Sequence, residues 1–381
     1  MKVLHIIPDL QVGGAEIFLR TLLPDLQKAG IQSKVVSLRN HGIVGGQLES
    51  LGIPVVSLGV RGYFSALHAL PRLRHLVRQY QPDVLHGWLY HGNLAAYFSR
   101  GALPAARLFW SIRHSIRDLK HEKAVTRLVI RLGARFSHRV DRIIYNAGAS
   151  AMQHSQAGFA SARAAVIANG IDTGRFSPNP EMRAASRRRY GFQDQHLLVG
   201  IIGRHHPIKG HDIFVRAAKT VAHANQQARF VMVGRGLDET NSELGALLRA
   251  LDLTDRVHLL GEHGDIPEIL NTLDIYVSAS WGEGFPNVVG EAMACGVPCA
   301  VTDVGASREL VADTGTIVPP GSTQQLAAAI LDLAALPPER RHALGAEARK
   351  RIVARYSRER CVLAYTNLYQ NLDESVTQAV S

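Results

Sequence analysis

The sequence predicts an α/β protein of two doubly wound domains, each a parallel sheet with helices on both faces. Three observations predict it. Short apolar runs alternate with helical patterns in both halves of the chain, the order that a parallel sheet needs. The 381 residues, 46% of them hydrophobic, are enough for two cores of ordinary size. A turn-rich stretch ending in prolines, Ile167 to Pro180, interrupts the alternation and marks a joint.

The charge divides at the same place. Residues 1–180 carry 22 Lys/Arg against 9 Asp/Glu, net +13, and the remainder carries 21 against 23, net −2. A basic half and a near-neutral half point to two domains with different ligands. Cys295, Cys299 and Cys361 are odd in number and form no Cys-x-x-Cys pair. That argues for a reducing cytoplasm and against a disulfide framework or a zinc site. The run from Met1 to Pro8 is too short for a signal peptide, and nothing approaches the roughly 18 uncharged apolar residues of a membrane span.

Taken in order, Val3 to Ile7 reads as a strand, Asp9 to Gly14 as a turn, and Ala15 to Ala29 as a helix closed by Gly30. Gly13 and Gly14 therefore lie between first strand and first helix, where a backbone without Cβ atoms and a helix N-terminus attract phosphate. Further strands are Lys34–Leu38, Val84–His86, Leu108–Ile112 and Arg142–Tyr145, with helical segments Ser65–Tyr80, Asn93–Arg100 and His121–His138 between them. His86 and His114 end strands or follow them, where side chains line the crevice of such a sheet. His86 and His91 lack Asp, Glu or Cys neighbours at ligand spacing, so no metal site is expected.

The second half repeats the pattern. Leu198 to Ile202 is a strand ended by Gly203. Arg204 and, five residues on, Lys209 then precede a helix from His211 to Ala224. Two cations at a strand end can neutralise a diphosphate. Phe230–Val233 and Val257–Leu260 are the next strands, the latter followed by Gly261, Glu262 and His263. Leu273 to Ser278 reads as a buried strand, after which Gly282, Gly284 and Pro286 forbid regular structure. Asn287 is a good N-cap for a helix that Gly296 and Pro298 stop. Glu283 thus sits in a loop at the C-terminal end of a strand and Glu291 about one turn into the next helix. Two carboxylates flanking helix N-terminal amides can grip a polyhydroxyl ligand. Strands Val297–Thr302 and Thr314–Val318, and helices Gln324–Ala335, Pro338–Tyr356 and Arg358–Asn371, complete the chain.

The run from Trp281 through Glu283-Gly284-Phe285-Pro286-Asn287 to Glu291, with Ala292-Met293-Ala294-Cys295-Gly296-Val297-Pro298 after it, resembles the Glu-x7-Glu motif of retaining glycosyltransferases of the GT-B fold, family four in particular. Gly13-Gly14-Ala15-Glu16, His114 in its Ser-Ile-Arg-His-Ser context, Asn169-Gly170-Ile171-Asp172, and the Arg204-x4-Lys209 pair extend the resemblance over the chain. It implies two Rossmann-like domains facing a cleft: 1–175 on the acceptor side, 176–356 binding the nucleotide sugar, and a terminal helix in 357–381 crossing back to the first. It implies transfer of a sugar, with retention, from a nucleotide sugar (UDP-linked hexose or N-acetylhexosamine) to a saccharide acceptor, lipid-linked, in bacterial polysaccharide or lipopolysaccharide assembly. Glu283 and His114 are the implied catalytic residues. Glu283, with the backbone of Gly284, Phe285, Pro286 and Asn287, grips the donor sugar, and His114 faces its other side. Glu291 takes the ribose, Arg204, Lys209, Gly13 and Gly14 the diphosphate, and Glu262 and His263 the base through their backbone. Glu16 and His86 are acceptor-side candidates. No metal and no cofactor is implied.

Three other readings compete with this one. A nicotinamide dehydrogenase needs Gly-x-Gly-x-x-Gly and an acid after the second strand, and the chain offers Gly13-Gly14 and Arg39. A nucleic-acid binder would suit a pI of about 9.8, but interleaved aromatics and finger spacings are missing. A sugar-nucleotide epimerase or hydrolase on the same fold stays as the alternative.

The basic excess is sharpest between Arg100 and Arg142, with 11 Lys/Arg against 3 Asp/Glu, net +8. Lys123, Arg127, Arg131, Arg135 and Arg139 recur every fourth residue, which puts neighbouring cations on one helix face. Val125, Leu128, Val129 and Leu132 occupy other faces, and some of them are expected to meet the sheet. Such a helix fits an anionic membrane surface, with Arg127, Arg131 and Arg135 as the membrane-facing residues, and predicts a cytoplasmic protein peripheral to the inner face.

Overall fold

The computed structural model describes residues 1–116 and 124–370, and leaves the side chains of residues 63–67 undescribed. The predicted helix start at His121, Lys123 of the basic row and the segment 371–381 lie outside the described residues. The chain divides into two units, Met1–Asn169 with Glu359 onward, and Gly170–Arg358.

The first unit runs β1 (Lys2–Ile7), α1 (Gly14–Lys28), β2 (Gln32–Ser37), α2 (Gly42–Ser50), β3 (Val55–Ser57), α3 (Tyr63–Tyr80), β4 (Val84–Trp88), α4 (Leu89–Ser99), β5 (Arg107–Ile112), α5 (Ala124–Phe136), β6 (Arg142–Tyr145), α6 (Gly148–Gln156) and β7 (Ala164–Val166). Its seven strands are ordered β3-β2-β1-β4-β5-β6-β7, and every pairing is parallel. The second runs α7 (Pro180–Arg189), β8 (Leu197–Ile202), α8 (His211–Ala224), β9 (Ala228–Val233), α9 (Ser242–Ala250), β10 (Val257–Leu259), α10 (Ile266–Thr272), β11 (Ile275–Ser278), α11 (Asn287–Ala294), β12 (Cys299–Thr302), α12 (Ser307–Val311), β13 (Gly315–Val318), α13 (Thr323–Ala335) and α14 (Pro338–Arg355). Its six strands follow the order β10-β9-β8-β11-β12-β13, again all parallel. The last helix, α15 (Arg358–Gln370), is counted from Glu359 with the first unit. The predicted fold class is the one observed.

Both sheets are dry on two sides, which is why their strands read as continuous apolar runs. All six residues of β8 are buried. In the first unit one core gathers Leu19, Leu22, Leu23 and Leu26 of α1 with Tyr365 and Tyr369 of α15. The opposite core takes Leu73 and Val77 of α3, Ala96 of α4 and Ile130 of α5. In the second unit Phe214 of α8, Phe230 of β9 and Ile330 of α13 belong to one core.

The first crossing lies at Asn169–Gly170, a few residues before the expected position. Ile171 bridges to Ser357, the Arg358 amide donates to the Ile171 carbonyl at 2.9 Å, and Arg358 pairs with Asp172 at 3.2 Å. These bonds bind the joint sequence into the second unit. Asn287 is the first residue of α11 rather than its cap: Pro286 holds the cap position, and no side chain caps the helix. On α5 the residues facing inward are Ile130, Gly133 and Ala134. Of the four apolar residues of which some were expected to meet the sheet, Val125, Leu128 and Leu132 are 53%, 57% and 37% exposed, and Val129 is half-buried.

Candidate active site

In the second unit the candidate residues lie after the C-terminal ends of β8, β10 and β11 and in the first turns of α11. β8 ends at Ile202, and the Gly203 amide donates to the Val233 carbonyl at 2.8 Å. The Lys209 stem lies along Gly203, whose missing Cβ would sit 3.7 Å from it. Gly210 adopts φ +64°, and a Cβ there would lie 2.1 Å from the Ala279 carbonyl oxygen. Only glycine lets the loop before α8 rest on the loop after β11 this closely. The Trp281 amide then donates to the Ile208 carbonyl at 2.7 Å. These contacts bring Lys209 to Glu283 across 74 residues of sequence, with Nζ 2.6 Å from Oε1. The Ser280 hydroxyl donates to the same oxygen at 2.7 Å. Arg204 stands exposed at the end of β8.

The Glu283 loop is gripped from its other side as well. Gly305, at φ +55°, packs so close that a Cβ would lie 2.4 Å from the carbonyl oxygens of Glu283 and Gly284. The Ala306 amide donates to the Gly284 carbonyl at 3.0 Å. Phe285 and Pro286 are buried and anchor the turn, Phe285 against Tyr356. Glu291 lies one turn into α11, and burial pushes its carboxyl up to about 7 against the counteracting charge of Arg175. Tyr276 lies buried in β11. Burial first, then the charges of Cys299, Glu283 and Glu291, hold its hydroxyl well above the usual range. His263 is held by the Tyr190 hydroxyl at 2.9 Å and by the Asp265 backbone at 3.1 Å, while Glu262 beside it is exposed.

The first-unit candidates divide. His114 follows β5 and is exposed, its carbonyl accepting from the Ser150 hydroxyl at 2.6 Å. Gly14 has no heavy atom within 4 Å of where a Cβ would stand. Glu16 does not present itself to an acceptor. It is buried and turned back on Gly13, its Oε2 2.3 Å from the position of a Gly13 Cβ. That is the place of a capping-box carboxylate at the third helical residue. Burial raises its pKa, the bond to its own backbone amide opposing. His86 is likewise withdrawn: it is fully buried, with Nδ1 2.6 Å from the Tyr369 hydroxyl and Nε2 2.9 Å from Ser111. Burial, with His5 and Arg113 nearby, holds it well below the usual imidazole range, so it is a neutral core residue.

Sequence reasoning missed Ser280, Arg175 and Tyr276. Ser280 carried a usable signal, standing three residues before Glu283. Arg175 lay in a stretch read as linker, and Tyr276 in a strand read as core. Among the described residues no three His, Cys, Asp or Glu side chains gather as a metal site.

Two family models match. The one described as Glycosyltransferase Family 4 covers residues 12–175, and the one described as Glycosyl transferases group 1 covers residues 196–335. The lipopolysaccharide core biosynthesis mannosyltransferase LpsB of Rhizobium meliloti (strain 1021) is 36% identical over 160 residues. That match takes in 40% of this chain and 45% of LpsB, so the chain spans about half the length of that relative. The putative glycosyltransferase EpsF of Bacillus subtilis (strain 168) is 24% identical over 306 residues, 79% of each chain. The crystal structure of Anabaena Alr3699/HepE in complex with UDP has the same fold, with a TM-score of 0.86 at 24% identity over 98% of this chain and 100% of that one.

Proposed function

The chain belongs to glycosyltransferase family 4 and has the GT-B architecture, and from that premise we propose that it moves a hexose or N-acetylhexosamine, with retention of configuration, from a UDP-linked donor to a saccharide acceptor. The observation that carries this reading is the Lys209–Glu283–Ser280 cluster, with Arg204 in the same loop after β8 and Glu291 one helical turn beyond the Glu283 loop. Cations face the leaving diphosphate, and carboxylates face hydroxyl groups. The acceptor oxygen attacks the anomeric carbon on the face from which the diphosphate departs. The carbon–oxygen bond to phosphate breaks as the new glycosidic bond forms, and the acceptor proton passes to a departing phosphate oxygen. Arg204 and Lys209 stabilise the charge that develops there. His114 is assigned to the donor sugar, Gly13 and Gly14 to phosphate, and the backbone at Glu262 and His263 to the base.

The acceptor is proposed to be lipid-linked, in lipopolysaccharide or surface-polysaccharide assembly, with the protein peripheral at the cytoplasmic face of the membrane. The exposed apolar and basic residues of α5 support this, as does the lipopolysaccharide role in the name of LpsB. No described helix is long and apolar enough to cross a membrane.

A thermal-shift screen of UDP and GDP sugars tests the donor, since a ligand that binds only the folded chain raises its stability with occupancy. Arg204→Ala and Lys209→Ala are each expected to weaken nucleoside diphosphate binding by about 1.5–3 kcal/mol in titration calorimetry, the scale of charge-assisted hydrogen bonds. Unchanged affinity for UDP and GDP in both variants would move the phosphates elsewhere.

Because the leaving charge is assigned to side-chain cations, turnover is expected to survive excess EDTA. Activity lost to EDTA and restored by magnesium or manganese would overturn that assignment. Donor consumed in the absence of any acceptor would favour the epimerase or hydrolase alternative.

A further inference from the structure

We infer that Ser280, backed by Thr302, is the positioning residue that fixes the Glu283 carboxylate for the donor sugar once the diphosphate has drawn Lys209 away. The inference rests on the reading of Glu283 as the group that grips the sugar hydroxyls.

The backbone around Glu283 is held on both sides, but the Glu283 side chain itself has several rotors to lose. Its Oε1 accepts from Lys209 at 2.6 Å and from Ser280 at 2.7 Å. A bound diphosphate carries more negative charge than one carboxylate and competes for the Lys209 ammonium. Ser280 has no such competitor. It is 2% exposed, and its hydroxyl can keep donating to Oε1 while the ammonium turns to phosphate.

Ser280 is itself held. Thr302, 1% exposed at the end of β12, donates its hydroxyl to the Ser280 carbonyl at 2.7 Å and lies 3.3 Å from that of Ser278. The neighbouring strand thereby fixes the backbone from which the Ser280 hydroxyl projects. A buried relay from β12 through Ser280 to Glu283 is a rigid support for a catalytic carboxylate, and a site loose by about an ångström loses rate steeply.

The test compares wild type, Ser280→Ala, Ser280→Thr, Ser280→Cys, Thr302→Val and Glu283→Gln. For each, kcat is measured with the best nucleotide sugar, and affinity for UDP and UDP-glucose (or GDP and GDP-mannose, if the chain takes guanine) by calorimetry. Ser280→Ala is expected to lower kcat by roughly 10- to 100-fold, the scale of one hydrogen bond to a charged group. UDP affinity should stay within about twofold, and the extra affinity contributed by the sugar should shrink. Ser280→Thr should restore most of the rate, and Thr302→Val should give a smaller loss in the same parameter. Ser280→Cys, close in volume but a weak donor, should behave like the alanine variant and keeps the test open if Ser280→Ala folds poorly. Wild-type kcat in Ser280→Ala and Ser280→Cys, while Glu283→Gln is inactive, overturns the inference and leaves the role of Glu283 standing. Equal losses of UDP and UDP-glucose affinity reduce Ser280 to a structural role and also overturn it. Full activity in Glu283→Gln removes the reading on which the inference rests.

Discussion

Glu283→Gln is expected to leave a folded protein that binds the donor nucleotide and transfers almost no sugar. Glutamine keeps the shape of the side chain and an oxygen for the Ser280 hydroxyl, so the loop between β11 and α11 retains its packing. What is lost is charge. A carboxylate accepts from sugar hydroxyls more strongly than an amide and sits here in a partly desolvated place, its side chain 14% exposed. Removing one preorganised electrostatic contact of this kind costs about 10²–10³ in kcat, or about 2.7–4 kcal/mol. The Lys209 side chain left behind is 29% exposed, so its charge stays partly hydrated and the stability change should stay within about 1 kcal/mol. Donor turnover, thermal unfolding and UDP calorimetry on one preparation decide the matter. Wild-type turnover would remove Glu283 from the mechanism, and loss of UDP binding would reassign it to the nucleotide.

The features legible in the sequence were those written in local pattern. Continuous apolar runs such as Leu198 to Ile202 announced strands buried on both faces, and glycine and proline announced the loops around Glu283. Arg204, Lys209, Glu283 and Glu291 could be placed at strand ends because strand and helix alternate so regularly. The misses came from long-range contact. His86 lies at the middle of β4, and its partner Tyr369 lies 283 residues further along, on a helix that returns to cover it. No pattern near His86 reports that cover. Alternation along a strand tells that two faces exist, and not which lies under a later helix. Which apolar residues of α5 turn inward is left open for a related reason. Some of Val125, Leu128, Val129 and Leu132 are expected to meet the sheet, and Val125, Leu128 and Leu132 stand exposed. Close approach selected smaller residues instead: a Cβ on Gly133 would meet the Phe159 ring at 3.0 Å. A helix lying this near its neighbours buries Gly133 and Ala134 beside Ile130 and leaves Val125, Leu128 and Leu132 outside.

That outcome sharpens the second large prediction: charge reversal at Arg127, Arg131 and Arg135 should abolish binding of the protein to anionic membranes and leave donor binding unchanged. At helical pitch Val125, Leu128 and Leu132 form one stripe opposite the buried Ile130, Gly133 and Ala134, with the arginine row along its flank. Phe98 of α4, 41% exposed and 5.6 Å from Phe136, extends the apolar stripe. An exposed apolar stripe flanked by cations is the pattern of a helix that lies in the membrane interface. A solvated charged face would not carry the apolar residues. Each cation near an anionic surface contributes about 1 kcal/mol, so losing three and adding three like charges should lower the binding constant on the order of a thousandfold or more. The apolar part is separable, because salt screens the arginines over about a Debye length and leaves hydrophobic insertion intact. Leu128→Ser with Leu132→Ser should therefore weaken the binding that persists at high salt. The triple reversal should remove the part that depends on salt. Flotation with phosphatidylglycerol vesicles at two salt concentrations, beside UDP calorimetry on the same variants, is the measurement. If wild-type protein fails to float at low salt, or the reversal leaves flotation unchanged, the acceptor is better sought among soluble saccharides.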